Sequence, residues 1–337
     1  MAASTSSAPF SRAVVNAMRK LYPEALADKS FDNTGLLLEA PFDPIRRQMN
    51  SAMLTIDLTK AVADEAIERS DSIIIAYHPI IFRGLKSLTL ADSQQKTLLR
   101  LAAEGISVYS PHTAVDAAAG GLGDWLADIV TGTPIEGHGS DTAPDSPKPA
   151  SSTRSVTSSN DKDKLTDTID ADENDRPSVQ QLKRPTYQLQ HHPSQLEVDP
   201  AQRLELSATQ HTRAPIVPSS VPGHEGAGMG RIIRKIAICA GSGAGVFSSP
   251  AAKDADLLFT GELSHHDALA AIENGKAVIA LFHSNTERGF LHDVLKGQLL
   301  NSVKEEWAKL REEEKESVQD EDYLDALGDE SVEIHVN

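Results

Sequence analysis

Residues 72–79 read Ser-Ile-Ile-Ile-Ala-Tyr-His-Pro, an unbroken apolar run that ends on a histidine. A strand with one wet face alternates apolar and polar residues. A run that is apolar at every position belongs to a strand covered on both faces, as in a parallel sheet between helices. The neighbouring segments fit that frame. Thr34–Glu39 and Ala52–Ile56 read as strands, Thr59–Arg69 as a helix, Ser93–Glu104 as a helix stopped by Gly105, Ile106–Tyr109 as a strand and Gly121–Ile129 as a helix. The alternation resumes with strands at Ile232–Ala240 and Asp256–Thr260. It continues through a helix at Ser264–Asn274, a strand at Ala277–Phe282, a long helix after Ser284 and a last strand at Val332–Val336. Strands separated by helices predict an α/β protein of two halves, each a mostly parallel sheet flanked by helices.

Residues 131–227 are of another kind. They hold 11 of the 18 prolines, many serines and a single aromatic residue, Tyr187. Such a segment cannot bury enough apolar area to offset the entropy of ordering it, so it reads as a disordered insertion rather than a third domain. Its histidines, His138, His191, His192, His211 and His224, read as solvated. The expected boundaries are therefore an N-terminal half over 8–130, the insertion over 131–227 and a C-terminal half over 228–337. Without the insertion 240 of the 337 residues remain, enough for two small α/β halves.

The net charge of −17 is concentrated at the end: the last 37 residues carry 13 acids and 4 bases. A chain this acidic has no electrostatic footprint for nucleic acid or an anionic membrane, and an anionic substrate would need a local positive centre such as a metal. No apolar run approaches the length of a membrane span. Cys239 is the one cysteine, which excludes an intrachain disulfide and zinc fingers and suits a reducing compartment. Ser4, Ser6, Ser7, Ser11, Arg12, Arg19 and Lys20, with no acid before Glu24, have the composition of a mitochondrial transit segment. The competing reading makes Val14, Val15, Met18 and Leu21 one face of a first helix, and with it the expected location is cytoplasmic.

Three segments put imidazoles and carboxylates directly after apolar strands, where a parallel α/β sheet concentrates function. They are Tyr77-His78-Pro79, His112-Thr113-Ala114-Val115-Asp116 and His283-Ser284-Asn285-Thr286-Glu287. Histidine and carboxylate at neighbouring strand ends make the donor set of a divalent or transition-metal site. Each segment also has a plain structural reading. Ser284 and Glu287 have capping-box spacing, Asp116 could cap a helix, and His78 could be a hydrogen-bonded core residue. Ser264 and Asp267 repeat the cap spacing around His265 and His266. Gly241-Ser242-Gly243-Ala244-Gly245 matches neither the dinucleotide nor the P-loop fingerprint and reads as a tight strand-to-helix turn. With no nucleophile elbow, and Cys239 inside an apolar strand, covalent nucleophilic catalysis has little support.

At these residues the chain resembles the Nif three-like family, known also as NGG-interacting factor three or GTP cyclohydrolase I type two-like proteins. The resemblance covers nearly all of 8–130 and 228–337. Its blocks are LADKSFDNTGLLLEAP, AYHPIIFRGLKSL, VYSPHTAVDAAAGGLGDWLA, GMGRI, IAICAGSG, ADLLFTGELSHHD and HSNTERGF. It implies a Nif three-like two-part α/β fold with a central cavity, metal ligation by His78, Asp116, His283 and Glu287, and homo-oligomers, as dimers or hexameric rings. Tyr77 stands where many relatives have a further histidine, which leaves one ligand fewer for a second ion. The Asp-Arg-Asp-Pro tail common in relatives is missing after VEIHV, so an interface built on it would be weaker.

The expected function is therefore that of a divalent-metal-binding protein with metal-dependent hydrolase chemistry on a nucleotide-like or other small substrate. It would hold one or two ions of zinc, iron or manganese, with His112 and Glu262 moving protons. The alternative is a non-catalytic regulatory oligomer with a structural metal, docking protein partners such as transcriptional regulators. Neither nucleic acid nor membrane is an expected partner.

Overall fold

A computed structural model of the protein describes residues 7–132 and 233–337, together with two short strands between them, Ser178–Gln181 and Ile216–Val217. The reading of 131–227 as a disordered insertion, and of its histidines as solvated, otherwise lies outside the described residues.

The chain begins with α1 (Pro9–Leu21), whose Val14, Val15 and Met18 are buried as the helical reading required. It continues through β1 (Gly35–Leu38), β2 (Met49–Thr55), α2 (Lys60–Arg69), β3 (Asp71–Ala76), α3 (Ser93–Glu104), β4 (Ser107–Ser110), α4 (Thr113–Ala117) and α5 (Leu122–Thr131). Local chemistry sets the ends of these helices. Thr59 caps α2 by accepting from the Val62 N–H, and Asp92 caps α3 by accepting from the Gln95 N–H. Gly105 closes α3 at φ 80°, a left-handed conformation that glycine adopts without strain.

The two intermediate strands are β5 (Ser178–Gln181) and β6 (Ile216–Val217). The second half then runs β7 (Lys235–Ser242), α6 (Ala244–Phe247), β8 (Leu257–Glu262), α7 (His265–Glu273), β9 (Ala277–Ala280) and α8 (Asn285–Phe290). A π-turn at Leu291–Leu295 leads into α9 (Lys296–Lys315), followed by α10 (Glu321–Gly328) and β10 (Glu333–Val336).

The strands form two five-stranded sheets, ordered β1-β4-β3-β2-β10 and β5-β7-β8-β9-β6. Each is parallel except at one edge, where β1 runs against β4 and β6 against β9. The fold class is thus the mixed α/β arrangement that the strand pattern predicted. β3 shows why its run is continuous: Ile73 and Ile75 enter one apolar cluster with α1 and α9, while Ile74 and Ala76 enter another with α2 and α3. Successive side chains face opposite layers, and both layers are apolar.

Three features go beyond the sequence pattern. The last strand returns to the first sheet, where β10 pairs in parallel with β2. Helix α9 packs along α1, with Phe10 and Trp307 edge to face at 5.6 Å. Finally, the strand expected to reach Phe282 stops at Ala280, because Phe282 adopts φ 68° and turns the chain outward. One apolar cluster contains residues of both halves, among them Tyr22, Leu126, Ile236, Phe290 and Trp307. Among the described residues no helix is long and apolar enough to cross a membrane.

Candidate metal centre

The carboxyl ends of the parallel strands in both sheets lie close together, and each delivers a side chain there. Beyond β3, the Tyr77 and His78 N–H groups donate to the Thr55 and Ile56 carbonyls at 2.8 and 3.0 Å, which extends the ladder and fixes His78 at the sheet end. Beyond β9, the positive φ of Phe282 swings its own ring outward, 58 % exposed, and delivers His283 to the same place. Glu287 follows one turn into α8 and is 2 % exposed.

Among the described residues, His78, His283 and Glu287 are the group of ligating side chains whose donor atoms all lie within 4.8 Å of one another. His78 Nε2 is 3.3 Å from Glu287 Oε2, and His283 Nε2 is 3.7 Å from Glu287 Oε1. The other nitrogen of each ring is taken: His78 Nδ1 meets Asp57 Oδ1 at 2.9 Å, and His283 Nδ1 meets Glu262 Oε1 at 3.0 Å. A carboxylate on Nδ1 fixes the ring and turns Nε2 toward the shared centre, as in most metal-ligating histidines.

The electrostatics are those of a cation site. Burial lowers the His78 pKa, but the hydrogen bond with Asp57 and the nearby Glu287 carboxylate outweigh it and raise the value to about 10. The same hydrogen bond holds Asp57 below the usual carboxylate range. Burial pushes the Glu287 carboxyl up, against the two imidazoles and with Asp116 adding to the rise. His78 Nε2 and Glu287 Oε2 face each other without hydrogen-bond geometry and have no hydrogen-bond partner. Buried polar atoms are rarely left so, and a divalent cation between them would satisfy both. The residues present therefore fit a metal ion.

Glycines make the space. Gly241 has φ +58°, and a Cβ there would lie 2.8 Å from His283 Nε2 and 3.0 Å from Glu287 Oε1. A Cβ on Gly261 would sit 2.9 Å from His283 Cα. The Gly241 N–H donates to Thr286 Oγ1 at 2.9 Å, tying the end of β7 to α8. The Gly241–Gly245 segment is the tight strand-to-helix turn that its spacing suggested, and its first glycine lies against His283 and Glu287.

The remaining sequence-derived residues divide. Asp116, in α4, is outside the close group of three and accepts a hydrogen bond from the Tyr77 hydroxyl at Oδ1. His112 stands beside the centre, its ring 5.5 Å from that of His78, with Nδ1 on Asp32 at 2.7 Å. Burial would raise the Asp32 pKa, but bonds from His112 and Thr113 lower it. Glu262 orients His283 as described. The capping-box reading of Ser284 and Glu287 fails: Ser284 is in helical conformation and its side chain makes no cap hydrogen bond. Ser264 does cap α7, and His265 and His266 are exposed outside the close group. The sequence reading missed Asp57 and Asp32. Asp57 follows the run AMLTI directly and so carried the same strand-end signal as His78, whereas Asp32 sits in a loop before β1 and carried none.

With this geometry established, the relatives can be compared. A family model described as Duf34/NIF3 (NGG1p interacting factor 3) matches residues 11–314. The chain is 42 % identical over 302 residues to the Protein NIF3 homolog of Schizosaccharomyces pombe, covering 89 % of this chain and 93 % of that protein. It is 37 % identical over 291 residues to NGG1-interacting factor 3 of Saccharomyces cerevisiae, covering 85 % and 89 %. Among solved structures, it is similar to a Bacillus cereus protein related to NIF3, with TM-score 0.55, 18 % identity and coverage of 97 % and 96 %. Reduced HcgD from Methanocaldococcus jannaschii superposes with TM-score 0.54 at 18 % identity, covering 98 % and 97 %. At that identity the structural likenesses speak for the fold alone.

Proposed function

The chain belongs to the Duf34/NIF3 (NGG1p interacting factor 3) family, and from that premise we propose that it is a divalent-metal-binding protein with hydrolase chemistry on a small substrate. The observation that carries this reading is the convergence of His78, His283 and Glu287 within 4.8 Å, each imidazole oriented by its own carboxylate. Two imidazoles and a carboxylate suit zinc, iron or manganese. An ion held there supplies Lewis acidity, polarising a water or a substrate oxygen.

The surrounding residues supply the rest. His112, fixed by Asp32 next to His78, is placed to carry a proton to or from a substrate. Glu262 is the second proton carrier, while its bond to His283 Nδ1 also orients that ring. A nucleotide-like substrate is the class that the family resemblance suggests. The two halves, 8–130 and 228–337, each contribute ligands, so the centre forms only when both are folded.

Elemental analysis of the purified chain beside a His283→Ala/Glu287→Gln double variant tests the site. Iron, zinc or manganese near one per chain, lost in a variant with unchanged circular dichroism, is the expected result. No metal in either protein would overturn it. Nucleotide hydrolysis that disappears in the double variant would establish turnover.

A second reading is favoured by the printed name of the Saccharomyces cerevisiae relative, an NGG1-interacting factor. Here the metal would stabilise a homo-oligomer, dimeric or hexameric, that docks protein partners. Light scattering would report the assembly, and partner binding indifferent to His283→Ala would favour this reading over the enzymatic one.

A further inference from the structure

Of the eight phenylalanines three are exposed, Phe31, Phe82 and Phe282, and all three stand beside the candidate metal centre or its neighbours. Phe282 directly precedes His283. Phe82 lies four residues beyond His78, in the segment between β3 and α3, and its ring meets that of His112 edge to face, 6.4 Å apart at 79°. Phe31 lies against Phe82, with centroids 6.3 Å apart and the rings tilted by 43°. The rings of His283, His78, His112, Phe82 and Phe31 thus form one continuous series, each within 6.4 Å of the next. It begins at the donors and ends in solvent, where Phe31 and Phe82 are 47 % and 46 % exposed.

Three consecutive residues hold this wall in place. Phe31 packs on Phe82. The Asp32 carboxylate meets His112 Nδ1 at 2.7 Å and accepts from the Thr113 N–H at 3.2 Å. The Asn33 amide donates to the carbonyl of Ile81, the residue before Phe82. An apolar surface left exposed yet braced in this way, at the mouth of a cluster of ligating side chains, is built to receive something. Its chemistry selects the occupant. Half-exposed phenyl rings offer π-faces, on which a planar ring stacks offset with centroids about 4.5–7 Å apart. Such stacking accepts any nucleobase, since every base has a π-face. An aliphatic group would gain only the burial of its area.

We propose that Phe82 and Phe31 form the subsite that receives the planar heteroaromatic ring of the substrate, the base of a small nucleotide, while its anionic end is held at the metal centre. This inference rests on the metal-binding reading and makes the two phenylalanines determinants of specificity. Leu85, Leu88 and Leu90 are exposed further along the same segment, so a second copy of the chain over this face is the competing occupant.

The zinc-loaded full chain is titrated calorimetrically with adenosine 5′-monophosphate and with ribose 5-phosphate, which keeps the sugar and phosphate and lacks the base. The wild type binds the nucleotide more tightly by roughly tenfold or more, the usual worth of one stacked base. Phe82→Leu, which stays apolar but removes the ring, abolishes that preference and leaves the ribose 5-phosphate affinity unchanged. Phe31→Leu reduces the preference in part. Phe82→Trp retains it, and the nucleotide quenches the fluorescence of the new indole, which a merely structural role of Phe82 would not produce. Equal wild-type affinities for the two ligands would overturn the proposal. A preference that survives in Phe82→Leu would overturn it too, and a lower mass by light scattering in that variant would assign the face to a second copy instead. Failure of the wild type to take up zinc would sink the metal-binding reading itself, a result distinct from either.

Discussion

Replacing Gly241 by alanine should weaken metal binding while leaving the fold in place. The added methyl group would lie 2.8 Å from His283 Nε2 and 3.0 Å from Glu287 Oε1, both of them donor atoms of the centre. Carbon makes comfortable contacts at ~3.5 Å, so the two donors must retreat by about 0.5 Å or more. Metal sites tolerate roughly 0.2 Å of error in donor distances, so the displacement falls hardest on binding. Backbone strain adds to it, because an L-residue at φ +58° costs about 1–2 kcal/mol. The expected result is a modest fall in melting temperature and a loss of at least about tenfold in metal affinity, equal to ~1.4 kcal/mol. Competition against a chromophoric chelator measures the affinity, and a thermal melt measures the fold. Gly245→Ala is the control, since a Cβ there meets nothing within 4 Å and its φ is not positive. Wild-type affinity in Gly241→Ala, or an equal loss in Gly245→Ala, would refute the steric argument.

Two further expectations concern protons and the outer carboxylate. A cation on His78 Nε2 displaces a proton from a group whose pKa is raised to about 10, so apparent affinity should rise with pH through the neutral range, by about tenfold per unit for one proton. Calorimetry in buffers of different ionisation enthalpy would detect the released proton, and an affinity flat between pH 6 and 8 would contradict the assignment. In metal-free protein the sign for stability is the opposite. The folded-state pKa of His78 lies above its unfolded value of about 6.5, so its contact with Asp57 stabilises fully below that value and is lost as pH rises toward about 10. Asp57→Asn should leave the close group of donors in place yet weaken metal binding by about 10–100-fold, the usual cost of removing an orienting carboxylate. Equal affinities for the two proteins would show that Asp57 does not set the ring.

The strand-end rule carried most of what the sequence could reveal of the centre. His78 and His283 stand out because each follows a run apolar on both faces, and such runs are strands whatever packs against them. Glu287 was ambiguous because one spacing serves both a capping box and a ligand. The helical conformation of Ser284 resolves it, and that depends on the turn at Phe282, which no local preference announces. The Tyr77–Asp116 bond spans 39 residues and so was invisible to any reading by local spacing. The same holds for β10: its apolar residues mark a strand, but its pairing with β2 joins segments from opposite ends of the chain, which local spacing does not reveal.

The distribution of strain adds an argument that composition cannot. Among the described residues three non-glycine positions have positive φ: Ser70, His112 and Phe282. Ser70 closes α2, where a left-handed residue is ordinary. The other two flank the candidate metal centre, His112 at φ 33° beside the His78 ring and Phe282 at φ 68° just before His283. Such conformations cost roughly 1–3 kcal/mol each and persist only where the surroundings over-determine them. The surroundings here do so. Asp32 grips both His112 and Thr113, and α8 is wedged between Tyr22 and Trp125, whose rings lie 6.5 and 6.0 Å from that of Phe290. Trp125 comes so close to α8 that a Cβ on Gly289 would sit 2.7 Å from its ring. A core that needed only stability would relax these two turns. Holding them strained, with an imidazole delivered by each, is what a centre requires when its donors must be rigid before any ligand arrives.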